Sequence, residues 1–217
     1  DFDLEIKSLI SKNKNITFFS GYDCDSLALE NITGFASHIL PLFRDNPLAL
    51  LEFRTKSIQI KPLDKITPID NCIMAYSLMP DKMSLELDKK TPSIKRRIST
   101  IKQLSEMGWK IGLRFDPLIY GKNWKDYYRE LHEEIYSSLN LNTVHSISYG
   151  PLRFPSAMYN KIFDLYPKEK LFTGPFEQNN KVISYKKEVE EEMTDYCISI
   201  SLKHLPKSII FKCNYEN

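Results

Sequence analysis

This chain has four cysteines among its 217 residues, at positions 24, 72, 197 and 213, and no two lie within four residues of each other. That spacing excludes a local Cys-x-x-Cys zinc or redox motif, and any tight iron–sulfur motif, within this sequence. Glycine is scarce, at seven residues, which leaves little room for a glycine-rich phosphate loop. No run of 18 apolar residues occurs, and no signal-peptide pattern, so no membrane partner is expected and a reduced, cytoplasmic chain is the default. Basic residues exceed acidic ones only by 30 to 28. The molecule therefore has no strong overall field, and nucleic-acid binding would need a local basic patch. Histidines 38, 132, 145 and 204 are scattered and suggest no Ser-His-Asp arrangement; those on helices read as structural.

What is present is globular: 42% hydrophobic and 27% charged residues, in a chain long enough to bury roughly 70% of its unfolded surface. Residues 1–13 read as the end of an amphipathic helix, with Phe2, Ile6, Leu9 and Ile10 on one stripe. Apolar strands follow at 16–20, 48–53, 72–76, 110–115 and 144–147. Helices are expected at 33–44 (interrupted by Pro41), through 94–104, at 124–139 and at 156–165. Thr91 and Pro92 suit the start of the third helix and Gly108 its end. In that helix Ile94, Ile98, Ile101 and Leu104 form the apolar stripe, and Lys95, Arg96 and Arg97 read as a solvated face. Asn179-Asn180 marks a hairpin turn, followed by a charged helix at 187–202 and a terminal strand at 208–212. Alternating strand and helix predicts a parallel α/β fold. Residues 1–170 are expected to form a partial barrel, and 171–217 a C-terminal extension of hairpin, helix and strand.

Parallel strands bring their C-terminal tips to one rim, where ligands bind. The tips here are polar: Tyr22, Asp23, Cys24 and Asp25; Arg54, Thr55 and Lys56; Ser77; Asp116; and Ser148. Lys56 can hold a carboxylate or phosphate as a point charge, or be a surface lysine. Ser77 can donate to a sugar hydroxyl or cap a turn. Asp116 can accept from a hydroxyl or amine, or be a turn residue before Pro117. Tyr22 and Cys24 share a side if the strand continues and could handle hydrogen atoms or protons. Asp23 and Asp25 could pair or ligate a metal, as in a hydrolase. Arg153, beside Phe154, could stack on bases and hold phosphate. A non-catalytic nucleic-acid module using Arg153, the 95–97 face and the hairpin is the alternative to an enzyme.

At these tips, residues 21–34 (GYDCDSLALENITG), 51–57 (LEFRTKS), 75–80 (AYSLMP), 112–117 (GLRFDP) and 150–154 (GPLRF) resemble the spore photoproduct lyase family, a branch of the radical S-adenosylmethionine enzymes. The resemblance implies a partial (β/α)6 TIM-like barrel, lacking here its first strand. It also implies S-adenosylmethionine as cofactor, a four-iron, four-sulfur cluster held by Cys-x-x-x-Cys-x-x-Cys, and repair of a thymine dimer in DNA through a 5′-deoxyadenosyl radical. It assigns Lys56 to the cofactor's carboxylate, Cys24 to its amino group, Ser77 to the ribose, Asp116 to the adenine side and Arg153 to the substrate. Tyr22 stands where the family carries the cysteine that returns a hydrogen atom, which leaves Tyr22 and Cys24 as candidate catalytic residues and a non-DNA substrate open. Met79 replaces an asparagine usual after the ribose serine. The cluster motif is absent, so this chain alone is expected to hold no cluster and to be inactive. It is expected to be the C-terminal part of a protein whose cluster comes from an upstream segment or a partner chain.

Overall fold

The computed structural model describes residues 2–13, 15–21 and 24–213. A six-stranded sheet forms the frame. Its strands are β1 (Ile16–Ser20), β2 (Ala49–Thr55), β3 (Cys72–Ser77), β4 (Lys110–Leu118), β5 (Val144–Pro151) and β9 (Ile210–Lys212). They lie in the order β1-β2-β3-β4-β5-β9, every neighbouring pair parallel. α1 (Phe2–Lys12) precedes the first strand, and between the strands run α2 (Glu30–Thr33), α3 (Phe35–Arg44), α4 (Asp81–Leu87), α5 (Ile94–Glu106), α6 (Trp124–Ser138), α7 (Ser156–Leu165) and α8 (Lys187–Ser201). A small antiparallel sheet joins β6 (Arg153–Pro155) to β8 (Val182–Tyr185) and β7 (Phe176–Asn179). The expected α/β partial barrel is present, as a curled half-barrel. The terminal strand, read from sequence as part of the extension, pairs with β5 as the sixth member of the barrel sheet.

Alternation along the strands sets the two faces of this sheet. In β2, Leu51 and Phe53 are buried in the hydrophobic core, as are Met74 and Tyr76 of β3 and Leu113 and Phe115 of β4. The residues between them, Glu52, Arg54, Ala75, Gly112 and Arg114, fall on the other face, which carries the polar chemistry.

Several local expectations hold. Gly108, at φ +96°, comes directly after Met107, the C-cap of α5, as a C-terminal stop requires. Asn180, at φ 53°, turns the β7–β8 hairpin. Pro41 departs from expectation: α3 runs unbroken through it from Phe35 to Arg44. Two expectations fail in α5. Its N-cap is Ser93, whose hydroxyl accepts from the Arg96 N–H, and not Thr91. Arg97 is fully buried and not part of a solvated face. It lies one helical turn from Ile94 on the apolar stripe, which its charge obscured.

Candidate functional site

The loop after β1 is drawn onto the tip of β2. Gly21 sits at φ +79°, and a Cβ there would lie 2.5 Å from the Arg54 carbonyl oxygen, so only glycine fits. The Ser26 N–H donates to that same carbonyl at 3.0 Å. Asp25 completes the fastening. Its Oδ1 accepts from the N–H groups of Leu27 (2.9 Å) and Ala28 (2.8 Å) and from the Thr55 hydroxyl (2.7 Å). Its Oδ2 accepts from the Lys56 N–H at 2.7 Å. A carboxylate so used is a structural clamp, which corrects its reading as a metal-ligating or hydrolytic acid. Among the described residues no group of three or more His, Cys, Asp or Glu could hold a metal ion.

This fastening opens one cleft of about 780 Å³ across the strand tips, lined by Cys24, Lys56, Ser77 and Asp116 together with Gln59 and Thr91. That volume suits a small-molecule ligand. All four residues expected around a cofactor are thus brought together from the first four strand tips. Arg153 stands behind Asp116, outside the cleft lining. Its Nη1 and Nη2 donate to Asp116 Oδ1 and Oδ2 at 3.1 and 3.0 Å. A Cβ at position 150 would lie 2.8 Å from both Arg153 Nη1 and Asp116 Cγ, so Gly150 makes room for this forked pair. Tyr22 and Asp23 lie outside the described residues.

Further charged groups, brought together only by the fold, surround the cleft residues. On the polar face, Arg114 leans back over Gly112 and donates to Glu52 through Nε (3.1 Å) and Nη2 (2.7 Å), and to the Ser146 hydroxyl at 2.8 Å. A Cβ at Gly112 would come within 2.8 Å of that guanidinium. Glu52 also accepts from Arg54 Nε at 2.8 Å. Burial pushes the Glu52 carboxyl up, but the hydrogen bonds and charges of Arg114 and then Arg54 outweigh it and hold it below its ordinary value. Behind Lys56, Asp88 accepts from the ammonium at 2.6 Å and from buried Arg97 at 2.6 Å. Burial again pushes upward there, and the bonds from Lys56 and Arg97 prevail, so Asp88 is held below the usual carboxylate range. One signal was available: Glu52 and Arg54 flank Phe53 in β2, and Lys56 continues the same spacing just past its end.

A family model described as spore photoproduct lyase matches residues 5–209. The chain belongs to the spore photoproduct lyase family. The spore photoproduct lyase of Clostridium acetobutylicum is 26% identical over 166 residues, covering 75% of this chain and 48% of that protein. The spore photoproduct lyase of Bacillus subtilis is 22% identical over 149 residues, covering 68% and 44%. This chain therefore spans about half the length of these curated relatives. Among solved structures, a mutant spore photoproduct lyase with bound AdoMet and dinucleoside spore photoproduct superposes at a TM-score of 0.83. The match covers 99% of this chain and 66% of that one at 16% identity, a likeness of fold alone. Among the described residues, no helix is long and apolar enough to cross a membrane.

Proposed function

We propose that this chain forms the cofactor-binding part of a radical S-adenosylmethionine lyase that repairs a photoproduct lesion in DNA. The observation that carries the reading is the convergence of Cys24, Lys56, Ser77 and Asp116 on one cleft. A cation, a hydroxyl and a carboxylate along a single wall suit a nucleoside that carries an amino acid. Membership of the spore photoproduct lyase family supports the same reading.

In this reading the Lys56 ammonium binds the cofactor's carboxylate, and Cys24 lies toward its amino group. The Ser77 hydroxyl meets the ribose. Asp116, oriented by the fork from Arg153, accepts on the adenine side, which leaves Arg153 at the boundary between cofactor and substrate. Bound S-adenosylmethionine supplies a carbon-centred radical when an electron reaches it from an iron–sulfur cluster. The described residues do not fit such a cluster, and we assign its ligands to another segment of a longer protein or to a partner chain. Residues 1–170 then carry the cleft and five strands of the barrel sheet, 171–217 the extension that returns its sixth strand, and a cytoplasmic location belongs to the same proposal.

Calorimetric titration tests the reading. S-adenosylmethionine should bind saturably to this chain, and Lys56→Met should weaken it about tenfold, the worth of one charge-assisted hydrogen bond. Saturable binding that Lys56→Met leaves unchanged, or no binding at all, contradicts it.

A further inference from the structure

Lys56 does not stand alone in the cleft wall. Its ammonium donates to Asp88 Oδ1 at 2.6 Å, and Asp88 Oδ2 accepts from Arg97 Nη2 at 2.6 Å. Arg97 is fully buried at the start of α5. Its Nη1 donates to the Ser77 carbonyl oxygen at 3.0 Å, its Nε to the Pro92 carbonyl oxygen at 2.9 Å, and its Nη2 also to the Thr91 hydroxyl oxygen at 2.5 Å. The Thr91 hydroxyl in turn donates to the Asp88 carbonyl oxygen at 2.6 Å. A single buried guanidinium thus ties the counter-ion of Lys56 to the backbone of Ser77, the hydroxyl-bearing residue of the same cleft, and to the wall at Thr91 and Pro92.

We propose, resting on the reading of the cleft above, that Asp88 seated on Arg97 is a positioning residue: it aims the Lys56 ammonium, and so sets the cleft's preference for a nucleoside that bears a carboxylate over one that lacks it. Two effects oppose each other when Asp88 loses its charge. The trio of Lys56, Asp88 and Arg97 goes from one net positive charge to two, which by itself attracts any anion more strongly. The lysine side chain is about a third exposed, at 35%, so solvent and salt screen that gain. Against it, the two cations are left facing each other without their shared carboxylate. Arg97 is held by its backbone acceptors and cannot move. Lys56, on a flexible stem, swings outward and loses its aim. Because a carboxylate needs the ammonium at one place, the positional effect prevails.

The test compares S-adenosylmethionine with its decarboxylated form, which keeps the adenosine, sulfonium and amine. Calorimetric dissociation constants are measured for both ligands on the wild-type chain, Asp88→Asn and Asp88→Glu. The glutamate variant preserves the counter-charge that buried Arg97 requires and shifts the acceptor by one methylene, so it reports even where the asparagine variant does not fold. In both variants S-adenosylmethionine should weaken about tenfold while the decarboxylated ligand changes less than about twofold. A merely structural role lowers both affinities together, and that result overturns the inference. An unchanged or tightened affinity for S-adenosylmethionine also overturns it. Wild-type chain that binds neither ligand removes the reading of the cleft and this inference together; wild-type binding with an unaltered ratio in the variants removes the inference alone.

Discussion

Replacing Arg114 by methionine should lower the unfolding free energy by about 3 kcal/mol, at the low end of the cost of removing one partner from a buried ion pair. The side chains of Arg114 and Glu52 are only 9% and 5% exposed. Loss of the guanidinium leaves the Glu52 carboxylate buried with Arg54 as its remaining partner, which is why the cost falls at the low end. It also strips the Ser146 hydroxyl of the donor at 2.8 Å. Removing the carboxylate as well, in Glu52→Met with Arg114→Met, should recover part of the loss, because the penalty lies in the unpaired charge and not in the missing contact. Urea unfolding of the two variants measures this. A double variant less stable than Arg114→Met alone would show that the pair stabilises the fold outright.

The second large effect concerns pH. His132 of α6 is fully buried and stacks on Phe115 with ring centroids 4.5 Å apart. Its Nδ1 lies 2.6 Å from the Tyr128 carbonyl oxygen and its Nε2 2.7 Å from the Tyr149 hydroxyl. A carbonyl only accepts, so Nδ1 carries the proton and Nε2 accepts from Tyr149. Burial lowers the His132 pKa from an ordinary 6.5 to about 4, against a smaller upward pull from the Tyr128 carbonyl. Between those values the unfolded chain binds a proton that the folded chain refuses. Stability therefore falls as pH drops through this window, by about 1.4 kcal/mol per unit and about 3 kcal/mol in total. His132→Phe should remove that component of the slope. The remaining slope belongs to groups such as His145, which burial and the nearby Arg114 charge also hold below its ordinary value. Parallel pH profiles for wild type and variant would contradict the assignment. Glu52 and Asp88, both held under their ordinary values of 4.5 and 3.8, add a further loss that begins near those values and grows as pH falls through their folded pKa values.

Much of this architecture was legible because it rests on periodicity and punctuation. The apolar strands, the Gly108 stop and the Asn179-Asn180 turn follow from local chemistry, and the convergence of Cys24, Lys56, Ser77 and Asp116 follows once the strands are read as parallel. What was not legible depends on contacts between distant residues. The pairing of the terminal strand with β5 involves no local signal. The burial of Arg97 becomes clear only when Asp88, Thr91 and the Ser77 carbonyl are seen around it. The fork from Arg153 to Asp116 likewise joins residues 37 positions apart, and it gives a residue expected to face substrate the further task of orienting Asp116. Asp25 illustrates the converse: an acidic residue beside a strand tip invites a chemical reading, yet its oxygens are used in holding the loop.

The strand tips, on this reading, form one nucleoside cradle. Amide chemical-shift mapping on the labelled chain, titrated with S-adenosylmethionine, tests it most directly. Saturable shifts should cluster at Gly21, Cys24, Lys56, Ser77 and Asp116, with one shared dissociation constant. Shifts confined to another surface, or none at saturating ligand, would contradict it.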